Sequence, residues 1–252
     1  MSNAQTAFGD GDAYERLMGR WSRVAGRDFI DWLALPPGRR WLDVGCGNGA
    51  FTEEIFAKAA PAAVTGIDPA EGQINYARRR PGTSAAEFHV GDALSLPFSD
   101  DSFDVTAMAL VIAFVPDPRK AAAELRRVTA PGGMVAAYMW DLFGGGLPLD
   151  PLYQTMKAMG LAPAYPPSAE ISRRDALSGL WADAGLREVD DELRHAGVAV
   201  LFLRRRARER DVVVRLVRVA GPDLGAVQPP AALDLRRARA HRGKVRARVG
   251  LA

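Results

Sequence analysis

The run Trp41-Leu42-Asp43-Val44-Gly45-Cys46-Gly47-Asn48-Gly49-Ala50-Phe51 ends an apolar stretch in three alternating glycines and then resumes with helix-forming residues. Residues without a Cβ let the backbone turn tightly and let a ligand approach it closely. A strand that ends in such a bend and passes straight into a helix is the opening unit of a parallel sheet, because the helix must return the chain before the next strand can pair in the same direction. The downstream pattern repeats that unit. Apolar periodicity and Gly/Pro punctuation predict strands over 40–45, 62–67, 86–90, 103–110 and 133–140. Helices are predicted over 49–59, 70–80, 117–129 and 173–184, with a further strand at 186–190. The expected architecture is α/β: a doubly wound, mostly parallel sheet with helices on both faces.

Three segments follow. Residues 1–38 form an N-terminal helical cap, in which Tyr14, Leu17, Met18, Trp21, Ala25, Phe29 and Trp32 recur at helical spacing opposite Arg16, Arg20, Arg23 and Arg27. This reads as one or two amphipathic helices with a break near Gly26. Residues 39–192 hold the ligand-binding domain, including a Gly-, Pro- and aromatic-rich stretch at 142–167 that reads as a mobile lid. Residues 193–252 are of a different kind: residues 1–191 contain 18 Lys/Arg against 25 Asp/Glu, whereas residues 192–252 contain 15 against 5.

Composition narrows the functional classes. No stretch approaches the roughly 20 apolar residues that span a bilayer, and the N-terminus lacks the basic start and apolar run of a secretory signal. The expectation is a cytoplasmic protein with no membrane contact. Cys46 is the only cysteine, and His89, His195 and His241 are scattered, so neither an internal disulfide nor a metal site is expected.

Gly45-x-Gly47-x-x-Ala50 with Asp68 downstream fits a loose dinucleotide fingerprint, which keeps an NAD(P)-dependent oxidoreductase as an alternative. Asp43 opposes it, since a carboxylate beside the glycines repels a pyrophosphate and favours a cationic ligand. Asp92, followed by Ala93, adds a second acid at the end of the third predicted strand.

Four stretches, LDVGCGNG at 42–49, VTGIDPAEGQINYAR at 64–78, GDALSLPFSDDSFDV at 91–105 and ELRRVTAPGGMV at 124–135, occur in order. With them the chain resembles a class I S-adenosylmethionine-dependent methyltransferase of the methyltransferase type 11 group, over about residues 13–192. The resemblance implies a Rossmann-like fold and S-adenosylmethionine as cofactor. It further implies that Asp43, Gly45, Cys46, Gly47, Asn48 and Gly49 surround the methionine part. Asp68 would bind the ribose hydroxyls, while Pro69, Gln73, Asp92, Ala93 and Leu110 would lie around the adenosine. Arg20 is a candidate partner for the cofactor carboxylate, and Tyr14, Trp21 and Trp140 are candidate substrate contacts. Capping is the competing role for Asp68 and Asp92, and ordinary packing for Cys46. No catalytic residue stands out among His89, Tyr138, Trp140 and Asp141.

The implied reaction is methyl transfer to a small-molecule acceptor. A non-catalytic cofactor- or nucleic-acid-binding protein is the other alternative, with arginines of the 193–252 tail as phosphate contacts. The competing reading of that tail is a stretch that has lost its ancestral sense through a reading-frame change. That reading accounts better for helical and strand periods that interrupt each other, and it leaves the closing strands of the sheet undetermined.

Overall fold

The computed structural model describes residues 18–143, 147–185, 189–192 and 214–217. Five strands, β1 (Arg40–Val44), β2 (Ala63–Asp68), β3 (Glu87–Val90), β4 (Phe103–Ala109) and β5 (Thr129–Tyr138), form one sheet in the order β3-β2-β1-β4-β5. Every neighbouring pair is parallel. Among the described residues six α-helices accompany them: α1 (Arg20–Leu33), α2 (Ala50–Ala59), α3 (Glu71–Ala77), α4 (Pro118–Val128), α5 (Asp150–Ala158) and α6 (Arg174–Asp183). None of the described helices is long and apolar enough to cross a membrane.

The central strands are buried on both faces, as a parallel sheet under crossover helices requires. Trp41, Leu42 and Val44 of β1, Val105 and Met108 of β4 and Val135 of β5 are buried in one continuous core. Ala25, Phe29, Ile30 and Leu33 of α1, which lie in the expected N-terminal helical cap, are buried in that core. The break expected near Gly26 is absent, and α1 runs through that position. A Cβ on Gly26 would lie 3.1 Å from Phe51 and 3.3 Å from the Tyr138 hydroxyl. The glycine therefore admits an aromatic cluster, with the Phe29 ring tilted against Tyr138 at 4.8 Å and Phe51 edge-on to Tyr138 at 5.8 Å.

Two boundaries shift for identifiable reasons. β4 ends at Ala109 because Leu110 turns into the left-handed region, φ 64°. β5 starts at Thr129, but its pairing with β4 is irregular until Val105 meets Met134, which is why the apolar pattern suggested a start at 133. The stretch at 142–167 contains α5, which the sequence did not indicate, and none of its residues is buried. The segment after α5 is fastened to the residues following β4: Ser168 donates its backbone N–H to the Ala113 carbonyl and its hydroxyl to that of Val115.

Beyond α6, β6 (Val189–Glu192) and β7 (Val214–Val217) pair in parallel as a separate two-stranded sheet. The rest of the 193–252 stretch, with its candidate nucleic-acid contacts, lies outside the described residues.

Candidate functional site

The chain runs outward through β1, β2 and β3, then returns to place β4 on the other side of β1. Ligands of such sheets bind at the carboxyl ends of the strands where the order reverses. Here that point is the glycine bend after β1. Gly45 and Cys46 both donate their backbone N–H groups to the Ile67 carbonyl of β2, at 2.8 and 3.1 Å. Gly45 has φ 75°, and a Cβ there would lie 2.5 Å from Cγ1 of Val111, just beyond β4. Close packing across the reversal therefore demands glycine. Gly47 also has positive φ, but a Cβ there would meet nothing within 4 Å. Its backbone borders open space.

Two carboxylates flank the bend. Asp43 is fully buried and accepts a hydrogen bond from the Thr52 hydroxyl of α2 at 2.6 Å. Its other oxygen, Oδ1, has no hydrogen-bond partner among the described residues. Burial pushes this carboxyl up to about 7; the Thr52 bond opposes the shift and the nearby Asp68 charge adds to it. Asp68, the last residue of β2, accepts from the Gly47 N–H at 3.0 Å and the Ala70 N–H at 2.9 Å. Its carboxyl is also raised, by burial, and those two N–H groups counter the shift.

Cys46 is buried against Ile74, Ala77 and Phe88, and its thiol is pushed well up by burial and by Asp43 and Asp68. Its side chain packs in that cluster. Asn48 is buried, and its side-chain oxygen accepts the Ala50 N–H at 3.2 Å across Gly49.

The adjacent strand end is tied in by Gly91, which donates its N–H to the Asp68 carbonyl at 3.1 Å. The next residue, Asp92, exposes its carboxylate, which accepts the Leu94 N–H at 2.9 Å. Asp92 thus caps a turn, and a carboxylate retains lone pairs for a ligand while doing so. Ala93 is half-buried and Pro69 exposed, whereas Gln73 of α3 is buried. Leu110 is buried at the end of β4, its N–H on the Tyr138 carbonyl at 2.8 Å.

The structure therefore brings Asp43, the glycine bend, Asp68, Asp92 and Leu110 to one edge of the sheet. Trp140 is buried in the core just after β5, and Trp21 packs half-buried on the same core from α1. Arg20 opens α1, but its side chain, like all of Tyr14, lies outside the description. Tyr138 sits inside the Phe29–Phe51 cluster, and His89 is partly exposed on the edge strand with its ring against Phe98.

Three supporting residues were not legible beforehand. Thr52 is the partner of Asp43, and Val111 fills the space above Gly45. Arg80 binds Glu53 at 2.7 Å and the Asn48 carbonyl at 3.4 Å, bracing the bend from behind. The one available signal was Thr52, a polar residue on the inward side of a predicted helix.

Residues 42–137 match the family model described as a methyltransferase domain. Among curated proteins, the chain is similar to a demethylmenaquinone methyltransferase from Renibacterium salmoninarum, 38% identical over 127 residues, 50% of each chain. It is also similar to a sterol 24-C-methyltransferase from Gibberella zeae, 31% identical over 137 residues, 53% of this chain and 35% of that one. The chain thus spans half the length of these relatives or less. Among solved structures, an S-adenosylmethionine-dependent methyltransferase from Thermotoga maritima is 26% identical, with a TM-score of 0.51, covering 70% of this chain and 78% of that one. The parallel sheet and the acid-flanked glycine bend at its reversal point thus occur in a chain whose residues 42–137 match a methyltransferase domain and which is similar in sequence and fold to an S-adenosylmethionine-dependent methyltransferase.

Proposed function

We propose that this protein transfers a methyl group from S-adenosylmethionine to a small-molecule acceptor. The observation that carries the reading is Asp43: a buried carboxylate oxygen without a partner among the described residues, beside a second acid and a glycine backbone open to a ligand. Such a site disfavours the pyrophosphate of a dinucleotide and favours a ligand with positive charge. S-adenosylmethionine fits, because its methionine end bears an ammonium and a sulfonium while its adenosine end bears a vicinal diol. The similarity to methyltransferases named for a quinone precursor and a sterol supports an acceptor with a large apolar body.

When bound, the cofactor supplies a methyl group already activated by the sulfonium charge. The chain's own residues contribute binding, orientation and exclusion of water, a class of effect worth up to about 7–11 kcal/mol in model reactions. Asp43 faces the positive end. Asp68 holds the bend through Gly47 and offers its remaining lone pairs to the ribose hydroxyls. Pro69 and Ala93 border the adenine, and Asp92 accepts from its amine.

Calorimetric titration with S-adenosylhomocysteine tests the reading. Wild-type protein binds it and Asp68→Ala binds at least tenfold more weakly with an unchanged circular-dichroism spectrum. Absence of binding by folded wild-type protein, or tighter binding of NADH, overturns it. A panel of acceptors assayed with labelled methyl donor then identifies the substrate.

A further inference from the structure

Parallel strands need a crossover of about a dozen residues, usually built around a helix. Residues 91–102, which carry the chain from β3 past β2 and β1 to β4, contain no helix; their only regular feature is a single bridge between Asp92 and Ser95. A crossover without a helix leaves backbone N–H and C=O groups that need other partners. Two residues of α4 supply them.

Glu124 accepts the Leu96 N–H at 2.7 Å. Arg127 donates to the Leu96 carbonyl at 3.0 Å, the Phe98 carbonyl at 2.7 Å and the Asp100 carboxylate at 2.9 Å. Its remaining donors form a two-point pair with Glu124, at 2.7 and 2.8 Å. All five N–H groups of the guanidinium are thereby used, which lysine could not reproduce. The Arg127 carbonyl accepts the Asp101 N–H at 3.1 Å, closing the far end. Between these anchors Leu96 is buried in the core, while Asp92 and Ala93 lie at the near end of the same segment, four and three residues before Leu96.

From this geometry we infer that Arg127, paired with Glu124, is a positioning residue for adenine recognition: it fixes the helix-free crossover so that Asp92 and Ala93 stand where the adenine edge binds. The inference rests on the cofactor reading above. It differs from a merely structural role in what it predicts, because a structural ion pair would change stability without discriminating between purine edges.

The test compares wild type, Arg127→Lys and Glu124→Gln by calorimetry at a temperature where circular dichroism shows each fully folded. Two probes are used, S-adenosylhomocysteine and its hypoxanthine counterpart, which lacks the exocyclic amine. Wild type prefers the adenine probe, and Arg127→Lys loses about tenfold in affinity for it, while affinity for the hypoxanthine probe changes less than twofold. Glu124→Gln shows the same pattern with a smaller loss, and it carries the test should Arg127→Lys fail to fold. In the double variant with Asp92→Asn the losses are not additive. Unchanged adenine affinity in both variants, or an equal loss for both probes, overturns the inference and leaves the cofactor reading standing. Failure of wild type to bind either probe overturns both, and so the two failures are distinguishable.

Discussion

At the scale of single residues the proposed site turns on Asp43 and the glycines. The Asp43 carboxyl has an ordinary value of 3.8 when unfolded and about 7 in the folded protein. The folded state therefore holds more protons than the unfolded chain between about pH 4 and 7. Across that window this group makes stability fall as pH rises, with no further change above it. Asp43→Asn removes the dependence and keeps an acceptor for Thr52. The melting temperature of the variant relative to wild type accordingly rises between pH 5 and 8, by the equivalent of about 2–4 kcal/mol at roughly 1.4 kcal/mol per unit. Thermal melts at the two pH values check it. The glycines separate packing from binding. Gly45→Ala collides with Val111 and strains the backbone, costing about 1–3 kcal/mol of stability. Gly47→Ala meets no atom, so its stability cost stays near 1 kcal/mol while affinity for S-adenosylhomocysteine falls by tenfold or more. Equal effects of the two substitutions on binding and stability would contradict this division. Asp43, Asp68 and the bend were readable in advance because strand, glycine turn and helix are local in sequence. Thr52 and Val111 were not, because each approaches from another element.

Elements were readable where burial imposes a period. The five strands of the sheet and helices α2, α4 and α6 fall within a few residues of expectation, since each has an apolar face or run that only one conformation can bury. α5 has no buried residue and gave no such signal. α1 was misjudged at Gly26 because glycine weakens a helix locally, by about 1 kcal/mol against alanine, while its packing role depends on Phe51 and Tyr138 elsewhere in the chain. That role predicts the outcome of Gly26→Val: the added side chain must displace the aromatic cluster, lowering stability by about 2–3 kcal/mol despite a better helix former. Chemical denaturation measures it, and a stabilised variant would show that α1 does not seat against the cluster. The 91–102 crossover is the converse case, a connection without periodicity whose order comes from Glu124 and Arg127.

For the whole molecule, ligand binding and stability are linked: a ligand that binds only the folded state at 100 times its Kd stabilises by about 2.7 kcal/mol. In a chain of this size that corresponds to a rise of about 5–10 °C in melting temperature. S-adenosylhomocysteine produces the shift in wild type, and Asp68→Ala cuts it to about half or less at the same concentration; a full shift retained by the variant would place the ligand elsewhere. By itself the sequence determined the alternation of strands and helices, the glycine bend and the acids at or near the ends of β1, β2 and β3, because those features express local backbone geometry and periodic burial. It could not specify which strands are neighbours. Only the tertiary structure decided that β4 returns beside β1, that Asp43 is sealed from water with one oxygen unmatched, and that α4 holds the crossover bearing Asp92. Each of those depends on groups distant in the chain meeting in space, where desolvation and hydrogen-bond geometry set their energies.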